Sequence, residues 1–164
     1  MNPRFGILTV SDRSACGERP DLSGPALAEL VSAQGWTVIR QAIAPDELPV
    51  LHATLLDWAD HGGLDVILTT GGTGFTPRDV TPEATRQVIE REAPGLAEAM
   101  RHAGLEITPH AMLSRAVAGI RGKVLIVNLP GSPKGAVESL QVILPVLPHA
   151  VELLRDEPDA ESHH

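Results

Sequence analysis

Short apolar runs alternate with longer amphipathic stretches along this 164-residue chain. FGILTV at residues 5–10 gives way to Ser11-Asp12-Arg13 and a polar, Gly- and Pro-containing stretch down to Gly24, a pattern that predicts a buried strand followed by a long loop. Leu27, Leu30 and Val31 fall at helical spacing, so a helix is predicted over residues 25–33, with Gly35 as its stop. Residues 37–44 read as a second strand ended by Pro45, and Leu48, Leu51, Leu55 and Trp58 then mark a second helix that runs to Gly62 and Gly63. DVILT at residues 65–69 has the continuous apolar character of a strand covered on both faces, and it leads directly into a glycine loop.

Thr81-Pro82-Glu83 supplies a cap, a first-turn proline and an acidic first turn, predicting a helix over residues 82–91. A shorter helix is predicted over residues 94–102. KVLIVN at residues 123–128 is another buried strand, and Ser132-Pro133 opens a C-terminal helix that Pro145 and Pro148 should bend or break. Strands alternating with helices predict an α/β fold with a mainly parallel central sheet and helices on both faces. No internal repeat is visible. Residues 1–155 are read as a single domain and residues 156–164 as an acidic, disordered tail, whose His163-His164 is either native or the remnant of a tag.

Composition narrows the picture. Hydrophobic residues make up 43% of the chain and aromatics only 2%, so the core must be packed from aliphatic side chains. A formal charge of −8 argues against broad contact with nucleic acid or an anionic membrane and favours small-molecule partners. The single Cys16 cannot form an internal disulfide, and no export signal is visible, so a cytoplasmic location is expected. No apolar run approaches the roughly 20 residues of a bilayer span. Cys16 has no adjacent base to activate it, and the histidines show no metal-ligand spacing.

The chemistry is expected at one edge of the sheet. Four strands run into polar or glycine-rich segments, SDR, PDE, TGGTG and LPGSPKG, and in an open parallel sheet these converge at the carboxyl edge. Gly71, Gly72 and Gly74 let the backbone approach an anion, helped by the hydroxyls of Thr70 and Thr73. Asp46 and Asp79 could share Mg²⁺ with bound phosphates; the plain alternatives are a helix cap for Asp46 and, for Asp79, a solvated loop acid or a surface ion pair with Arg78. Lys134 could neutralise phosphate at a helix N-terminus, or be an exposed lysine after a turn that Ser132 caps. Ser11, Asp12 and Arg13 could contact ligand or form a polar strand end.

Taken together, SDR (11–13), DLSGPAL (21–27), APDE (44–47), TTGGTG (69–74), RDVTPEAT (78–85), LSRAVAGIRG (113–122) and NLPGSPKG (128–135) resemble the molybdopterin adenylyltransferases of the MogA/MoaB type. The resemblance runs from first strand to last helix and implies a three-layer α/β/α fold, a homotrimer or hexamer, and transfer of AMP from ATP to molybdopterin with release of pyrophosphate. It implies that Asp46 and Asp79 are catalytic and bind Mg²⁺. It further implies that Ser11, Asp12, Arg13, Thr70, Gly71, Gly72, Thr73, Gly74, Thr81, Ser114, Arg115, Pro130, Gly131, Ser132 and Lys134 bind ATP or molybdopterin. A molybdenum insertase is the implied downstream partner. The competing expectation is a molybdopterin-binding or scaffolding member of the same type with little transfer activity.

Overall fold

A computed structural model describes residues 2–156; the predicted tail lies outside them apart from Asp156. Six strands form one sheet in the order β2-β1-β3-β6-β5-β4. The strands β1 (Arg4–Val10), β2 (Thr37–Ala44), β3 (Val66–Thr70) and β6 (Val124–Leu129) are parallel, while β5 (Ala118–Arg121) runs antiparallel to β6, and the edge strand β4 (Arg91–Glu92) runs antiparallel to β5. The parallel part follows from crossover helices. The antiparallel part follows from a tight connection between β5 and β6, where Gly122 takes φ +58°.

Strand alternation sorts the core into two layers. Phe5, Ile7, Val66, Leu68, Leu125 and Val127 face α2 (Ser23–Ala33), α5 (Pro94–Leu105), α6 (Pro133–Ile143) and α7 (Leu147–Arg155). Leu8, Val10, Ile67, Val124 and Ile126 face α3 (Leu48–His61) and α4 (Thr81–Val88). Helices thus cover both faces, as the alternation predicts.

Four local expectations are corrected. The loop after β1 contains a short helix, α1 (Asp12–Ala15), capped by Ser11 Oγ, which accepts from Ser14 N at 3.2 Å. Helix α2 begins at Ser23, two residues early, because Asp21 Oδ1 accepts from Gly24 N at 3.0 Å and takes the capping role. Helix α4 stops at Val88 and not at residue 91, because Ile89 turns extended and Glu90 N donates to Ile120 O at 2.8 Å, drawing residues 91–92 onto the sheet edge. The C-terminal segment Pro133–Arg155 is helical over 23 residues, and its most apolar 18-residue window has a mean hydropathy of 1.4, so by length and composition alone it reaches span length, where no such apolar run was expected. It breaks at a 3₁₀ turn over Leu144–Val146, beside Pro145, and lays Ala136, Leu140, Ile143, Leu147 and Val151 on the sheet.

Candidate functional site

From β1 the chain crosses to β2 on one side and β3 on the other, so the crevice at the carboxyl ends of β1 and β3 is a topological switch point. A polar cavity of about 550 Å³ opens there, lined by Ser11, Asp21, Asp46, Gly71, Gly72, Asp79, Gly131 and Ser132 among others. The ends of β1, β2, β3 and β6 all contribute, as the strand-end motifs imply. Two glycines set how close the wall comes. Gly72 has φ +69°, and a Cβ there would collide with Thr81 Oγ1 and lie 3.0 Å from Asp46 Oδ1. A Cβ on Gly74 would come within 2.8 Å of Asp79 Oδ2. Each candidate aspartate therefore packs against a bare backbone. The N–H groups of Gly72, Thr73 and Gly74 have no protein acceptor among the described residues, which leaves them available to an anion.

Asp46 is not a helix cap: Glu47 occupies that position and makes no side-chain capping bond. Instead Asp46 Oδ2 accepts from Asp12 N at 2.9 Å, and Asp46 N donates to Asp12 Oδ1 at 3.0 Å. This reciprocal pair joins the end of β2 to the end of β1. Arg78 clasps the same Asp12 with Nε and Nη2 at 3.0 and 2.9 Å, so it pairs with Asp12 and leaves Asp79 alone. Asp79 Oδ2 accepts from Thr76 N at 3.0 Å, closing a small turn that aims the carboxylate at the cavity. Burial raises the pKa of Asp46, and repulsion from Asp12 and Asp79 adds to it, against the lowering effect of the Asp12 N–H. The guanidinium of Arg78 holds Asp12 below the usual carboxylate range.

Several residues expected to touch ligand are engaged by the protein itself. Thr81 Oγ1 donates to Gly71 O at 2.9 Å and Thr81 N to Gly72 O at 3.1 Å, locking the glycine loop to the start of α4. Thr70 Oγ1 donates to Pro130 O at 2.6 Å, tying β3 to the loop after β6. Arg115 is engaged by Glu83 and by two loop carbonyls. Lys134 does not line the cavity; its side chain is 83% exposed and lies 3.9 Å from Glu138 on its own helix. Arg13 likewise turns outward, 3.9 Å from Glu18. Ser132 caps α6 by accepting from Gly135 N at 3.1 Å, and also lines the cavity.

The glycine loop separates this polar chamber from a second, more apolar one of about 380 Å³. Thr73, Gly74, Ser114 and Pro130 border it, with Ala97, Met100 and Val142 from α5 and α6, and Ser132 is shared by the two chambers. Motif reading missed the residues that brace this wall. Asn128 is fully buried; its Nδ2 donates to Thr69 and Thr85 at 3.0 and 2.9 Å, and its Oδ1 accepts from Val117 N at 3.1 Å. The available signal was a polar residue in the apolar run KVLIVN. Asp21, read only as part of a motif, accepts from Thr9 Oγ1 at 2.8 Å and joins the chamber wall.

Residues 6–149 match the family described as "Probable molybdopterin binding domain". Gephyrin from Dictyostelium discoideum is 43% identical over 96% of the chain, which spans only 24% of that longer protein. A molybdopterin adenylyltransferase from Helicobacter pylori strain J99 is 42% identical, with 92% of this chain and 86% of that one covered. Among solved structures, the molybdopterin biosynthesis enzyme MoaB from Thermus thermophilus superposes with a TM-score of 0.89 and 56% identity, covering 95% of this chain and 98% of that one.

Proposed function

Because the chain belongs to the molybdopterin-binding domain family, and so to molybdenum cofactor biosynthesis, we propose that it is a molybdopterin adenylyltransferase, transferring AMP from ATP to the terminal phosphate of molybdopterin with release of pyrophosphate. The observation that carries this reading is the polar chamber itself. The unpaired Gly72 amide and two aspartates, each lying against a glycine, meet at a switch point beside a second chamber, which suits a reaction between two large anionic substrates.

The chemistry needs no side-chain nucleophile. A phosphate monoester has its second pKa near about 6, so the attacking oxygen is already ionised at neutral pH. It displaces pyrophosphate at the α-phosphorus of ATP. The protein must bring two polyanions into line and stabilise the charge that spreads over the phosphoryl oxygens. The Gly72 N–H and the N-terminus of α6 at Ser132, both on the wall of the first chamber, provide fixed positive ends for that charge. The second chamber seats a ring system of one substrate, and the reacting phosphates meet in the first.

Asp46 and Asp79 fit a magnesium ion. Each keeps one carboxylate oxygen without a protein hydrogen bond among the described residues, and their mutual repulsion is what a cation relieves. An ion held by these two carboxylates would draw its remaining ligands from phosphate and water. When bound, Mg²⁺ would neutralise phosphate charge and polarise the reacting phosphoryl group.

Around the site, the exposed Leu105, Ile107, Met112 and Leu113 on α5 and the following turn support a homotrimer or hexamer, which native mass measurement tests. The exposed thiol of Cys16 supports a reducing, cytoplasmic setting, and a molybdenum insertase is the proposed recipient of the product. Incubation with molybdopterin, ATP and Mg²⁺ should yield adenylylated molybdopterin and pyrophosphate; binding of both substrates without product would instead identify a scaffolding member.

A further inference from the structure

The resemblance implies Arg115 as a ligand-binding cation, yet its guanidinium is occupied. Nε donates to Gly74 O at 2.7 Å, Nη2 to Asp79 O at 2.7 Å and Glu83 Oε1 at 3.1 Å, and Nη1 to Glu83 Oε2 at 2.8 Å. Its backbone N–H also donates to Thr73 O at 2.9 Å. Arg115 therefore grips both ends of the segment from Gly74 to Asp79 from the side of α4, while the Asp79 carboxylate lines the polar chamber. Glu83, on the first turn of α4, is held below the ordinary carboxylate range by this same guanidinium, so both partners are charged at neutral pH.

We propose that Arg115 is a positioning residue that sets the Asp79 carboxylate by clamping its loop to Glu83, and that it does not bind substrate phosphate. Only the planar fork of arginine reaches two carbonyls and a carboxylate at once; a lysine keeps the charge but offers one ammonium for three sites. The segment after the second chamber belongs to the same clamp, since Arg101 Nη1 donates to Ser114 O and Ala116 O at 3.3 and 3.0 Å on either side of Arg115. The inference rests on the adenylyl-transfer reading for its kinetic test but not for its structural one.

In the purified protein, Arg115→Lys should lower kcat by about 10²-fold, the scale of a small misplacement of a reacting group, with KM for ATP within about threefold. A phosphate ligand would behave oppositely, with Arg115→Lys near wild type in kcat and Arg115→Ala raised at least about tenfold in KM. Glu83→Gln keeps both carbonyl bonds and should give a smaller kcat loss, and adding it to Arg115→Lys should cost little more than Arg115→Lys alone. Hydrogen exchange supplies a second readout independent of turnover. Arg115→Lys should speed exchange of the Thr76 and Asp79 amides by about tenfold at unchanged global stability. A wild-type protein without turnover would reject the adenylyl-transfer reading while leaving this exchange test intact. Unchanged exchange, or a change in KM alone, would overturn the clamp.

Discussion

Asp46 and Asp79 sit in the same chamber but are placed by different means. Asp46 is pinned by the reciprocal pair with Asp12, whereas Asp79 is held by a local turn and by the loop behind it. Burial and like charge raise the pKa of Asp46, so neutralising Asp79 should lower it. In the Asp79→Asn variant, carboxyl NMR should show Asp46 titrating at lower pH than in the wild type; an unchanged or higher value would remove the electrostatic coupling. A raised folded pKa also means that ionised Asp46 costs folding free energy as pH rises through that range. Asp46→Asn should therefore leave Tm unchanged or higher while turnover collapses, and a lowered Tm would contradict the strain assigned to this carboxylate. At Gly72, substitution by Ala should abolish turnover, since the new methyl collides with Thr81 Oγ1 at a positive φ; steady-state kinetics showing near-normal kcat would count against the close-packed wall. The glycines and acids were legible from their residue types. The fate of Arg115, Lys134 and Arg13 was not, because a motif shows which charges are present and says nothing of which neighbour engages them.

Among the elements, β6 carries the site through Asn128. Its amide joins β3 at Thr69, α4 at Thr85 and the chain entering β5 at Val117, so one side chain aligns three neighbours beneath the glycine loop. Asn128→Ala would leave the Val117 N–H and two hydroxyls without these partners in a dry environment. Urea unfolding should show a loss of about 2–4 kcal/mol, and a loss below about 1 kcal/mol would mean that water takes over those bonds. The parallel strands and long helices were readable because each buries a regular apolar stripe. The antiparallel edge was not, since β4 is two residues long and β5 four, too short for periodicity to register. Their signal was a turn, Arg121-Gly122-Lys123 between apolar runs. The early stop of α4 has the same origin, because pairing with β5 outweighs the helical pattern after Val88.

Over the whole molecule, the N-terminal strand and last helix are joined at Asp65. Burial alone would raise its pKa, but Arg155 and Arg4 hold it down to about 2 through side-chain hydrogen bonds at 2.6–3.3 Å, with Arg4 N adding one at 2.8 Å. A depressed carboxylate pKa contributes stability above the unfolded value that is lost as pH falls through the folded one. Asp65→Asn should therefore cost about 2–3 kcal/mol at pH 7, and the gap from wild type should close between about pH 4 and pH 2 in thermal unfolding. A gap that persists at pH 2 would assign the loss to packing instead. The same architecture brings four strand ends to one edge, and the two chambers there face each other across the glycine loop. That arrangement gives adenylyl transfer its most direct test: incubation with molybdopterin, Mg²⁺ and ATP labelled with ³²P at the α position. Label appearing in a pterin-containing product, one per pyrophosphate released, is the predicted result. Label remaining in ATP while molybdopterin is bound would contradict the account.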